Sequence, residues 1–201
     1  MEKLTITQKI GIAIVLLTTG LCLFAIYRYW LADYKYAEAK TKIQNGYVID
    51  GISDYENVIK LSPNEALYKS KLGTTYSDLA KYFAENDELD KATASAKIAV
   101  FFTEEAKRLS PRNFVIGQER VISYSQLVST DPKYLTNTIV ELQSLAVWAP
   151  TYPKIYYRLG LAYKDIGQTD LAIQNFKKAI ELKPDYNDAK IALDQITTIP
   201  Q

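Results

Sequence analysis

The chain has 201 residues, 24 Lys and Arg against 23 Asp and Glu, and no histidine; its hydrophobic share of 48% and charged share of 23% are those of a folded protein, which sets wholesale disorder aside. A net charge of +1 gives no clustered cationic surface, so no nucleic-acid partner is expected. A single cysteine and no imidazole exclude an intrachain disulfide, the usual zinc sites and Ser/Cys–His nucleophiles, so no catalytic, cofactor-binding or metal-binding residue is assigned and the chain is read as a non-enzyme.

Residues 1–9 form a short polar tail. From Ile10 to Tyr27 there are eighteen residues without a charge, and Tyr27, Tyr29 and Trp30 follow directly. At 1.5 Å per residue that run covers about 27 Å, close to the hydrocarbon thickness of a bilayer, and the aromatics stand where an interface would lie. Residues 10–30 are therefore predicted to be a transmembrane helix. A cleaved signal peptide fits less well, because the nearest small-x-small site, Ala37-Glu38-Ala39, comes about ten residues too late. A lipoprotein signal would need a small residue before Cys22, where Leu21 stands. Lys3 and Lys9 on one side are nearly balanced by Arg28, Lys35, Lys40 and Lys42 on the other. The short N-terminus favours a cytoplasmic start, with the remainder extracytoplasmic.

Residues 31–201 are predicted to be helical hairpins. No breaker interrupts DYKYAEAKTKI before Asn45-Gly46, so the membrane helix is expected to run on into the first of them. Pro63, Pro111, Pro150 and Pro184 each follow an amphipathic stretch (KLSP, RLSP, VWAP, ELKP), and proline ends one helix while suiting the start of the next. The first unit, about 32–62, keeps little of the pattern beyond Tyr55 and Pro63. In the second, Leu72, Gly73 and Tyr76 carry an L-G-x-x-Y spacing, with a break around AENDELD at 84–90. In the third, DPKYL starts a helix with Asp131 as cap, and Leu142 and Leu145 fall where Phe176 and Ala179 fall in the fourth.

The fourth unit, 153–186, is 34 residues long. Tyr156, Leu159, Gly160, Tyr163, Ala172, Phe176, Ala179 and Pro184 match in character the W, L, G, Y, A, F, A and P of the tetratricopeptide (TPR) repeat, which the unit resembles closely. Gly160 and Ala172 are small where two helices cross, Tyr163 and Phe176 fill the space beside them, and Asp170 is placed to cap the second helix. A last helix from Asn187 to Ile196 has the character of a cap. The expected fold is all-α: an N-terminal transmembrane helix, then a TPR-like solenoid of three to four hairpins plus a C-terminal capping helix, about nine helices beyond the membrane.

The resemblance implies a partner groove on first helices, at Lys154, Tyr157, Leu161, Lys164 and Asp165. Some TPRs clamp a peptide carboxylate with Lys and Asn at these positions; Tyr157 and Leu161 stand at two of them here, so the groove is read as suiting a helix or an extended apolar peptide of a protein partner. The phrases SPRN, DPKYL and APTYPK also resemble the C-terminal TPR tail of bacterial membrane proteins of the O-antigen ligase/polymerase type, over about 31–201 with 10–30 as the last span. Two functions are weighed: a membrane-anchored scaffold in a bacterial envelope assembly, from the pairing of one anchor with a repeat that has no reactive constellation, or, as that resemblance implies, the accessory tail or fragment of a glycan enzyme whose catalytic membrane region is absent. A glycan ligand finds no supporting feature in the residues, and they give no oligomeric state.

Overall fold

The computed structural model describes residues 5–198 and divides into two compact units between Tyr68 and Lys69. Among the described residues there are nine helices and no strand. Residues 1–4 of the predicted polar tail lie outside them.

The first unit is built from α1 (Ile6–Gln44), α2 (Val48–Leu61) and the first residues of α3 (Ala66–Glu85). Thr5 starts α1 with a reciprocal cap: its hydroxyl accepts from Gln8 N, and the Gln8 side chain accepts from Thr5 N at 2.8 Å. As the sequence predicted, α1 does not break until Asn45-Gly46. It is the one helix among the described residues long and apolar enough to cross a membrane, and none of its most apolar stretch is buried. Its C-terminal half has a different surface. Ala32 and Ala39 are fully buried, Gly51 of α2 sits against Ile43 and the carbonyl of Ala39, and Lys42 pairs with Asp54 at 2.6 Å. Tyr36 stacks on Tyr55 and lies tilted against Tyr68, and the Tyr68 hydroxyl donates to Asp33.

The second unit continues α3 through α4 (Leu89–Leu109), α5 (Phe114–Leu127), α6 (Lys133–Trp148), α7 (Pro153–Asp165), α8 (Thr169–Leu182) and α9 (Asn187–Thr198). Helices α3/α4, α5/α6 and α7/α8 are hairpins, each crossing at a glycine of its first helix. A Cβ on Gly73 would meet Thr103 Oγ1 at 2.6 Å, one on Gly117 would meet Leu145 Cδ2 at 2.6 Å, and one on Gly160 would meet the Phe176 ring, with Cδ1 at 2.5 Å. Burial then does most of the stabilising: Leu72, Leu127, Leu142, Leu145 and Phe176 are at most 1% exposed, and each such side chain contributes about 1.5–3 kcal/mol.

The joints between hairpins are alike because the same steric rule acts at each. Ser62, Ser110, Ala149 and Lys183 each stand directly before one of the four prolines, and their φ values are −136°, −140°, −133° and −141°. A following proline excludes the helical region, so the chain turns extended there while each N–H still closes a last helical bond. The turns inside hairpins share another device. Gly46, Asp87 and Gly167 all have positive φ (88°, 59° and 72°), and the next N–H reaches back to Lys42, Phe83 and Tyr163, each at 2.9 Å. Asp170 is not the cap the sequence suggested. Gln168 is the N-cap residue without a side-chain bond, and Asp170 lies inside the first turn, where its charge complements the helix dipole.

Candidate partner groove

Helix α5 has two working faces. Val121, Ile122, Ser125 and Gln126 turn toward α7 and, with Leu135, Thr138 and Leu142 of α6 and Arg158, Leu161, Ala162 and Asp165 of α7, line a hollow of about 420 Å³ within the second unit. Its floor is aliphatic: Val121, Leu142 and Ala162 are buried, while Ile122, Leu135 and Leu161 are partly exposed to it. Its rim carries one charge of each sign, Arg158 and Asp165, neither in an ion pair among the described residues. Gln126 Oε1 is buried with no donor among them. The hollow offers apolar contact and two opposite charges, and its lining holds no nucleophile beside a base.

Of the five positions expected from the repeat, the structure brings Leu161 and Asp165 to this hollow. Tyr157 packs on Phe176 and Tyr186, with ring centroids 6.1 and 5.1 Å away, and does not line it. Lys154 and Lys164 are exposed and outside the lining. Arg158 was missed, although 158, 161 and 165 fall on one helical face at spacings of three and four. The α5 and α6 residues were missed because they belong to the preceding hairpin, whose first helix has no aromatic at the expected place.

The other face of α5 explains that substitution. Ile116-Gly117-Gln118-Glu119-Arg120 keeps the L-G-x-x-Y spacing, with arginine where Tyr76 and Tyr163 stand. Arg120 is 4% exposed; it donates to the Thr103 carbonyl at 3.1 Å, pairs with Glu104 at 3.1 Å, and holds its Nε 3.0 Å from Glu141, itself 3% exposed, as an ionic contact without aligned hydrogen-bond geometry. Tyr124 donates its hydroxyl to Glu104, and its ring lies beneath the guanidinium. Burial pushes the Tyr124 phenol up, and the bond to Glu104 adds to it. Burial alone would raise the Glu104 carboxyl, but the Tyr124 bond and the Arg120 charge hold it below the ordinary value. Ser123 extends the network to Ser77 and to Thr103 at 3.2 Å. Lys71 and Thr74 of α3 reach Glu119 at 2.6 and 3.1 Å. This polar seam fixes α5 against α3, α4 and α6, and so sets the groove wall that Ile122 and Gln126 present.

Residues 153–186 match the profile of the tetratricopeptide repeat. Heat shock protein STI1 of Saccharomyces cerevisiae is 30% identical over 100 residues, covering 50% of this chain but only 16% of that relative. Among solved structures, a thermophilic TPR protein of Thermus thermophilus superposes with a TM-score of 0.66 at 18% identity, over 84% of this chain and 82% of that one. MamA superposes at 0.61 and 23%, over 82% and 80%, and Pseudomonas aeruginosa pilF at 0.62 and 14%, over 84% and 68%. These likenesses show the fold, an all-α, TPR-like series of helical hairpins. Such repeats are generally non-catalytic and generally bind protein partners.

Proposed function

We propose that this chain is a membrane-anchored TPR scaffold that holds a protein partner in the α5–α7 groove as part of a bacterial envelope assembly. The observation that carries the reading is a pairing within one chain: a fully exposed, uncharged helical run, and a binding hollow whose lining has no reactive constellation. Exposed apolar surface on this scale is stable only when something covers it, and a bilayer covers every side of a single helix at once. The hydroxyl of Thr18 supports this, since it donates to the carbonyls of Ile14 and Val15 and needs no water. The groove fits an amphipathic helix or extended peptide with aliphatic anchors and a charge at each end, received by Arg158 and Asp165. The short N-terminus before the span favours a cytoplasmic start with the repeats outside; protease accessibility of the second unit in intact cells tests that orientation.

The test of partner capture is a pull-down of the full chain from crosslinked membranes, alongside Ile122→Glu and Leu161→Glu. The scaffold reading expects a reproducible protein partner that both variants lose. Recovery of none, or equal recovery by the variants, counts against it.

A second reading rests on the phrases SPRN, DPKYL and APTYPK: the chain would be an accessory tail of a glycan ligase or polymerase of O-antigen type, positioning a glycan or subunit. An adjacent reading frame encoding about ten membrane spans would favour it; an independent promoter and ribosome site directly upstream would refute it.

A further inference from the structure

Helix α1 leaves its apolar run accompanied. Arg28, the first charge after Tyr27, turns its guanidinium sideways and donates to the carbonyl of Leu61 at 2.6 Å. Leu61 is the last residue of α2, where carbonyls lack intrahelical partners and a cation complements the dipole. The turn after it, Ser62–Glu65, lies against Ala25, Arg28 and Tyr29 around a hollow of about 250 Å³. Ser62 is buried and Pro63 and Asn64 form the exposed tip. Glu65, which lines the same hollow, accepts from Leu67 N at 3.3 Å. On another face of α1, Tyr27, Trp30 and Tyr34 stack in a ladder with centroids 6.2 and 5.9 Å apart, each more than half exposed.

Resting on the membrane reading of α1, we propose that the 62–65 turn is itself a membrane contact: Pro63 and Asn64 sit in the phospholipid headgroup layer, and the first hairpin stands on the bilayer with the C-terminal end of α2 toward the lipid. Eighteen residues span about 27 Å, so Arg28 falls at the hydrocarbon boundary, and the headgroup layer extends roughly 5–7 Å further. A turn packed against residues 25–29 lies inside that layer. Its chemistry suits the place. Pro63 has no N–H to desolvate, the last α2 carbonyl is bonded by Arg28, and Asn64 presents a neutral amide. Lys60, exposed one turn earlier, adds a cation beside the tip that suits lipid phosphates. The aromatic ladder is an interfacial anchor on a second face of the same helix. Two contacts on different faces would fix the rotation of α1 about its axis.

The test uses the full chain with Cys22→Ser in phosphatidylcholine–phosphatidylglycerol nanodiscs, carrying one environment-sensitive fluorophore on a cysteine at Leu16, Tyr29, Gln44 or Asn64. Quenching is read with lipids bearing a nitroxide on the headgroup or deep in the acyl chain. Leu16 should be quenched by the acyl-chain nitroxide. Asn64 should be quenched by the headgroup nitroxide as strongly as Tyr29, and several-fold more than Gln44, which lies about 22 Å beyond Tyr29 along α1. If Leu16 is quenched but Asn64 behaves like Gln44, the anchor stands and the membrane-contact turn is overturned. If Leu16 is not quenched, the anchor reading fails first and takes this inference with it.

Discussion

Arg120 offers the sharpest test of how the second unit is held together. In Arg120→Met the side chain keeps much of its volume and loses its charge, so Glu141, 3% exposed, would be left with Lys107 at 3.4 Å as its remaining cation. The Thr103 carbonyl and the Tyr124 hydroxyl lose contacts as well. Breaking a buried ion pair from one side costs about 3–5 kcal/mol, because the orphaned charge stays desolvated. That is a large part of the roughly 5–15 kcal/mol by which ordinary domains are stable. At a slope of about 2 kcal/mol per molar, the urea midpoint should fall by about 2 M. Glu104 is half-exposed and adds little to the loss, since water screens it. The double variant Arg120→Met, Glu141→Leu removes both buried charges and should regain most of the lost stability. Urea unfolding followed by circular dichroism and by Trp148 fluorescence measures all three proteins. A single variant as stable as the parent, or a double variant no more stable than the single, would refute the reasoning.

Three further outcomes follow from local geometry. Asp87 occupies with φ of 59° the place that glycine fills at 46 and 167, so Asp87→Gly should raise stability by about 0.5 kcal/mol; a loss in urea unfolding would show that its side chain has an unseen role. Gly160→Ala gains about 1 kcal/mol of helix propensity but drives a methyl into the rigid, fully buried Phe176 ring, for a net loss of about 1–2 kcal/mol. Gly117→Ala meets the movable end of Leu145 and should cost less, so the reverse order in thermal unfolding would contradict the crossing geometry. The Glu104 carboxyl is depressed in the folded state below its ordinary 4.5. Its contribution is therefore complete above that value and lost as pH falls through the folded one, so stability should decline as pH falls below 4.5, and Glu104→Gln should decline less.

Much of this fold was legible because its rules act over short distances. A proline constrains the residue before it, so the four hairpin joints could be placed by eye, and the DPKYL and AENDELD breaks fall between helices for similarly local reasons. The last repeat was legible because Gly160, Ala172, Phe176 and Ala179 carry complementary sizes within one hairpin. The polar seam was not. Arg120 lies 16 residues from Glu104 and 21 from Glu141, and no spacing reveals that the two acids converge on one guanidinium. The groove was legible in part. Counting repeat positions brings Tyr157 and Lys164 onto the list, whereas the hollow is met by the helical face of Arg158, Leu161 and Asp165, and its opposite wall comes from a hairpin that had lost its aromatic marker. Asp87 escaped notice because Asn-Asp-Glu does not announce a left-handed residue as glycine does.

The central claim is that the α5–α7 hollow holds a protein partner. A photo-crosslinking amino acid placed at Ile122 or Leu161, with exposed Lys97 on α4 as control, reads this directly in native membranes. The account predicts one discrete protein adduct from both groove positions and none from Lys97. No adduct from either groove position, or the same adduct from all three, would contradict it.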